Sequence, residues 1–123
     1  MANTARSRKA KGRRFQQEIR DRLLSEYKHI LEDDDIKSTQ MGGSGVDIQL
    51  SPAARKIIPY SIECKNQEKM NIWSSLEQCE DNCVENTTPV LFFKKNNSKT
   101  YAVLPVEHFI QLISSASAID KQP

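Results

Sequence analysis

Val46-Asp47-Ile48-Gln49-Leu50 and, twelve residues further on, Ile62-Glu63-Cys64-Lys65 decide how this chain is read. Strict alternation in the first run sets Asp47 and Gln49 opposite Val46, Ile48 and Leu50, as in a half-buried strand. In the second run, period two sends Glu63 and Lys65 to one face, about 7 Å apart. Ile62 and Cys64 then face a core. If the two strands pair as an antiparallel hairpin, Asp47, Glu63 and Lys65 meet on one polar patch. Two close carboxylates repel unless a positive charge lies between them, and a hard divalent cation is the usual solution. A lysine beside such a cation orients or deprotonates water, or balances charge on a phosphate. The pattern points to metal-assisted phosphodiester hydrolysis.

The remaining elements follow outward from this pair. Phe15, Ile19, Leu23, Leu24, Tyr27, Ile30 and Leu31 recur at helical spacing, so a helix is expected from about Lys11. Glu32-Asp33-Asp34-Asp35 opposes the helix dipole and stops it as a solvated turn. It lacks the glycine and distal glutamate of a calcium loop. Ile36 to Thr39 reads as a short strand, and Gln40-Met41-Gly42-Gly43-Ser44-Gly45 as a bend that brings backbone near a ligand. Ser51 to Lys56 reads as a turn, and Ile57 to Lys65 as the third strand. A second helix is expected from Ile72 to Val84, capped by Asn71, with Trp73, Leu76, Cys79 or Glu80, and Cys83 with Val84 on its buried stripe. Thr88 to Phe93 and Tyr101 to Leu104 read as strands, and a last helix runs from Pro105 to Ile113. The expected fold is α/β, in the order α-β-β-β-α-β-β-α, with helices packed on a mixed sheet.

Length and charge bound the rest. At 123 residues there is room for one domain, here expected over residues 11–114, between a disordered basic arm (1–10) and a frayed tail (115–123). Residues 1–14 carry six cations and no acid, whereas the remainder holds 12 basic and 16 acidic residues. A cationic arm on a slightly acidic body suits a polyanionic partner. Arg6, Arg8, Lys9, Lys11, Arg13 and Arg14, with Lys37, Arg55 and Lys56, are therefore candidate contacts to a polyanion, and Ser44 a candidate phosphate contact. No apolar run reaches a membrane span. Three cysteines without a secretory signal suggest free thiols and a cytoplasmic location. Cys64, Cys79 and Cys83 have no fourth partner at zinc-like spacing. His29 and His108 read as surface or cap residues.

Taken together, a first helix with a glutamate, Gly45-Val46-Asp47, Glu63-Cys64-Lys65 and the helix after it resemble the PD-(D/E)xK nuclease superfamily. Within it, the chain is most similar to small Holliday-junction resolvases and phage-type endonucleases. The resemblance covers residues 11 to 105 and implies a restriction-endonuclease-like fold. It also implies that Asp47 and Glu63 ligate Mg²⁺, or Mn²⁺ in its place, with Lys65 as catalytic lysine. Val46 stands where a proline is frequent, which leaves the chemistry intact. The resemblance further implies roles for Glu18 as a third metal ligand and for Gln78 on the second helix, DNA as substrate, branched or duplex, and a homodimer. No membrane and no organic cofactor is expected. The rival readings are a nuclease acting on nicked, flap or plain duplex DNA, and a non-catalytic DNA-binding module.

Overall fold

A computed structural model describes residues 4–39 and 45–120. The chain runs α1 (Ala5–Tyr27), β1 (Ile36–Ser38), β2 (Ile48–Leu50), α2 (Pro52–Ile57), β3 (Tyr60–Asn66), α3 (Ile72–Asp81), β4 (Thr88–Lys94), β5 (Tyr101–Val103) and α4 (Val106–Asp120). This is the expected α/β class, with helices on a mixed sheet.

Two sheets carry it. β1 and β2 form an antiparallel hairpin with Ile36 opposite Leu50 and Ser38 opposite Ile48. β3 pairs β4 in parallel, Glu63 opposite Leu91 and Asn66 opposite Lys94, and β5 adds antiparallel to β4. The expected β2–β3 hairpin is therefore replaced by a β3-α3-β4 crossover. A connection long enough to hold a helix allows parallel pairing, which a tight turn cannot.

The core lies between α1 and the strands: Phe15 and Ile19 pack with Ile36, Ile48, Leu50, Ile62 and Cys64. Arg20 ties α1 to the start of β1 through Nε to the Ile36 carbonyl (2.7 Å) and Nη2 to the Asp33 carbonyl (2.6 Å). Asp35 clasps the far end of the hairpin. It accepts from Ser51 Oγ (2.6 Å) and the Glu32 amide (2.7 Å), and these bonds hold its carboxyl below the usual range. The acidic run is thus a 3-10 turn with a structural acid in it.

Several expected boundaries shift for local reasons. Thr4 caps α1 by accepting from the Ser7 amide (3.1 Å), so the helix starts at Ala5 and takes in most of the basic stretch expected as a disordered arm. Ser51 and Pro52 open α2 as cap and first helical residue, where a turn was expected. α4 continues to Asp120, past the residues expected to fray. Cys79 is buried on α3 as expected, whereas Trp73 is 78% exposed and Ser75 is buried in its place. Among the described residues, no helix is long and apolar enough to cross a membrane.

Candidate active site

Asp47 reaches β3 by a route other than a strand ladder. Its amide donates to the Ile62 carbonyl (3.1 Å), and its Oδ2 accepts from the Cys64 amide (2.7 Å). A side chain takes the place of a backbone rung, which fixes the carboxylate between Ile62 and Cys64. Just before it, Gly45 sits at φ +89°, a conformation that strains any side-chain-bearing residue. The bend expected from the glycine run is present at its last residue.

β3 alternates as expected. Ile62 and Cys64 face α1, and Ser61 and Glu63 face α3. Glu63 is only 1% exposed and accepts from Asn82 Nδ2 (2.9 Å). Burial pushes its carboxyl up to about 7; the Asn82 bond opposes the rise, and the neighbouring Asp47 adds to it by charge and by a carboxyl–carboxylate hydrogen bond. Half-buried Lys65 draws it back down. The two acids are thus close enough for the charge of one to disfavour ionisation of the other, which is the setting a cation would relieve. Asp47, Glu63 and Lys65 come together.

Asn82 was invisible in the sequence, because an asparagine ending a helix is common and only tertiary packing brings it to Glu63. It caps α3, one turn beyond Cys79. Cys79 is buried beside the same groups, and its thiol is pushed up to about 12, first by desolvation and then by Glu63. Cys64 is raised too, again mainly by burial. Both are inert packing thiols. Ser61 locks the α3–β4 connection: Oγ accepts from the Val84 amide (2.8 Å) and lies 2.6 Å from Thr87 Oγ1.

The other candidates scatter. Glu18 is exposed on α1 and lines a cleft with Asn66 and Lys94, on the sheet face away from Glu63. Among the described residues no three His, Cys, Asp or Glu side chains form a group that could hold a metal, so Glu18 does not join the pair. Gln78 is exposed, one helical turn before Asn82. Arg6, Arg8, Lys9, Arg13 and Arg14 are exposed on the first half of α1, and Lys11 lies 3.8 Å from Glu68. Lys37 on β1 and Lys56 on α2 are exposed. Arg55 borders a groove of about 380 Å³ shared with Gly45, Ser61 and Asn82, which brings it to the carboxylate side. Ser44 lies outside the described residues. His108 is no simple surface residue: its Nε2 lies 2.6 Å from Tyr60 Oη, with the rings edge to face.

Chemically, this is a buried acid beside a half-buried one, a half-buried ammonium and an amide orienting one acid. The profile of a family described as "Phage putative PDDEXK endonuclease" matches residues 7–122. No curated protein sequence and no solved structure matches the chain significantly.

Proposed function

Since the chain belongs to this family of phage PDDEXK endonucleases, we propose that it hydrolyses DNA phosphodiester bonds in a divalent-metal-dependent reaction centred on Asp47, Glu63 and Lys65. One observation carries this: Glu63, 1% exposed on β3 and bonded by Asn82, lies beside Asp47, whose carboxylate the Cys64 amide holds against the same strand, with Lys65 two residues on. Two neighbouring carboxylates suit a hard cation such as Mg²⁺ or Mn²⁺. Asp47 and Glu63 would hold it, and when bound it supplies an acidified water and a polarised phosphoryl oxygen.

The chain's own groups do the rest. The Cys64 amide keeps Asp47 aimed at the pair, and Asn82 fixes the Glu63 rotamer. Lys65 places positive charge where negative charge accumulates on the phosphate in the transition state. Exposed Arg55 and the cations of α1 hold the sugar–phosphate backbone. Glu18 and Gln78 are not needed for this reading.

Two finer points belong to the proposal. The substrate is branched DNA, because few residues near the pair are placed to read base edges and shape is what remains. Cleavage of a four-way junction, a flap, a nicked duplex and a linear duplex in Mg²⁺ tests it. Junction cleavage at least about tenfold faster than linear duplex is expected from a discrimination of about 1.4 kcal/mol. Equal rates remove the preference for structure, and no cleavage of any substrate removes the nuclease.

The active form is a homodimer joined through α4. Val106, Phe109, Ile110, Leu112 and Ile113 are each 45–67% exposed on that helix, and residues 109–117 carry no charge. A soluble monomer rarely leaves so much apolar surface together. An uncharged helix face meets its own copy without like-charge repulsion, as a two-fold interface requires. Light scattering at micromolar concentration should give twice the 14.0 kDa chain mass. Ile110→Glu with Ile113→Glu should give a folded monomer, whereas a monomeric parent protein refutes the dimer.

A further inference from the structure

A second polar cleft lies at the opposite face of β3, and nothing in the hydrolytic centre uses it. Its walls are α1, through Lys11, Arg14 and Glu18, and the turn after β4, through Asn96 and Asn97. Its floor is the last pair of the parallel ladder, Asn66 beside Lys94. Asn97 holds φ at +61°, which turns the chain sharply at the rim. Glu68 braces the two walls, 3.8 Å from Lys11 Nζ and accepting the Asn96 amide at 2.6 Å. The cleft is open to solvent and has a volume of about 640 Å³, within the range of small-molecule sites.

The lining dictates the ligand. Three cations face Glu18 and the bracing Glu68, an excess of one positive charge that favours an anion. Asn66 Oδ1 is buried and has no hydrogen-bond partner, so it awaits a donor. A backbone phosphodiester has no donor to give. A nucleotide has both halves: anionic oxygens for Lys11, Arg14 and Lys94, and a base N–H for Asn66. In a duplex most of those N–H groups are engaged in pairing, so the nucleotide that fits is unpaired.

We propose that this cleft binds one unpaired nucleotide of the DNA strand near the cut. Asn66 directly follows Lys65 and ends β3 on the other face, so a DNA strand passing from the hydrolytic centre round that end of the sheet has a neighbouring nucleotide to place there. The inference rests on the nuclease reading and adds a substrate determinant to it: a single-stranded tail or branch.

The test is equilibrium binding, in Ca²⁺, of a fluorescent duplex with a single-stranded tail and of the same duplex with blunt ends. Asn66→Leu should weaken binding of the tailed DNA about tenfold and leave the blunt DNA unchanged. Arg14→Ala with Lys94→Ala should lower the slope of log affinity against log salt for tailed DNA by about 1.4, at roughly 0.7 per single-strand phosphate contact. Arg14→Lys with Lys94→Arg should restore that slope, which a merely structural role would not. Unchanged tailed-DNA binding in both the Asn66 and the Arg14/Lys94 variants, or equal losses on tailed and blunt DNA, overturns the assignment of the cleft. If the unmutated protein cleaves DNA in that event, the nuclease reading survives; if it binds neither DNA, both fail.

Discussion

Lys65→Ala lowers the single-turnover rate of Mg²⁺-dependent DNA cleavage by at least about 100-fold while leaving affinity for DNA in Ca²⁺ within about twofold. The argument is positional. Lys65 is half-buried beside two acids, one of them nearly inaccessible to solvent, so its charge acts through a medium that screens poorly. An ammonium there is worth most when the phosphate gains charge, in the transition state, and little in the ground-state complex. Loss of rate without loss of binding is the signature of such a group. Asp47→Asn and Glu63→Gln should lose at least as much, and pairing either with Lys65→Ala should cost far less than the product of the single losses. Groups acting on one phosphate as a unit are not additive. Lys65→Ala cleaving at the parental rate would remove the lysine from the mechanism.

Glu63→Gln should make the metal-free protein more stable at pH 8, with little effect at pH 4. The sign follows from the raised carboxyl. In the unfolded chain Glu63 loses its proton near the ordinary value of 4.5, and in the folded chain near 7. Below 4.5 both states hold the proton and no penalty exists. Between those values the folded state binds more protons, so stability falls as pH rises. Above about 7 the penalty is complete, on the order of 3 kcal/mol. Glutamine keeps an oxygen for Asn82 and offers an N–H to Asp47, so the variant escapes the penalty. Melting curves should place it several degrees above the parent at pH 8. Saturating Mg²⁺ should close that gap by stabilising the parent alone. A variant no more stable than its parent at pH 8 contradicts the buried-acid description.

The meeting of Asp47 with Glu63 was legible because alternation in β3 holds: Ile62 and Cys64 point to the core and Glu63 away from α1. The route was not legible. Asp47 meets β3 through the Ile62 carbonyl and the Cys64 amide, while β3 takes β4 as its ladder partner, and no periodicity distinguishes those arrangements. Ser51-Pro52 reads equally as a turn or as a helix start, and the hairpin's closure onto Asp35 decides in favour of the helix. Trp73 misleads because helical spacing says which residues share a face and not which face is covered. Glu18 shows the same limit: its spacing from Phe15 was sound, yet α1 turns it toward Asn66 and Lys94. Asn82 carried no signal at all, since its partner lies nineteen residues away in the chain.

Calorimetric titration of Mn²⁺ into the protein at pH 6, in two buffers of different ionisation enthalpy, tests the central claim most directly. A cation that displaces the proton held by Glu63 beside Asp47 releases close to one proton per ion bound, and Asp47→Asn abolishes the binding. Binding that releases no proton, or that survives Asp47→Asn undiminished, would contradict it.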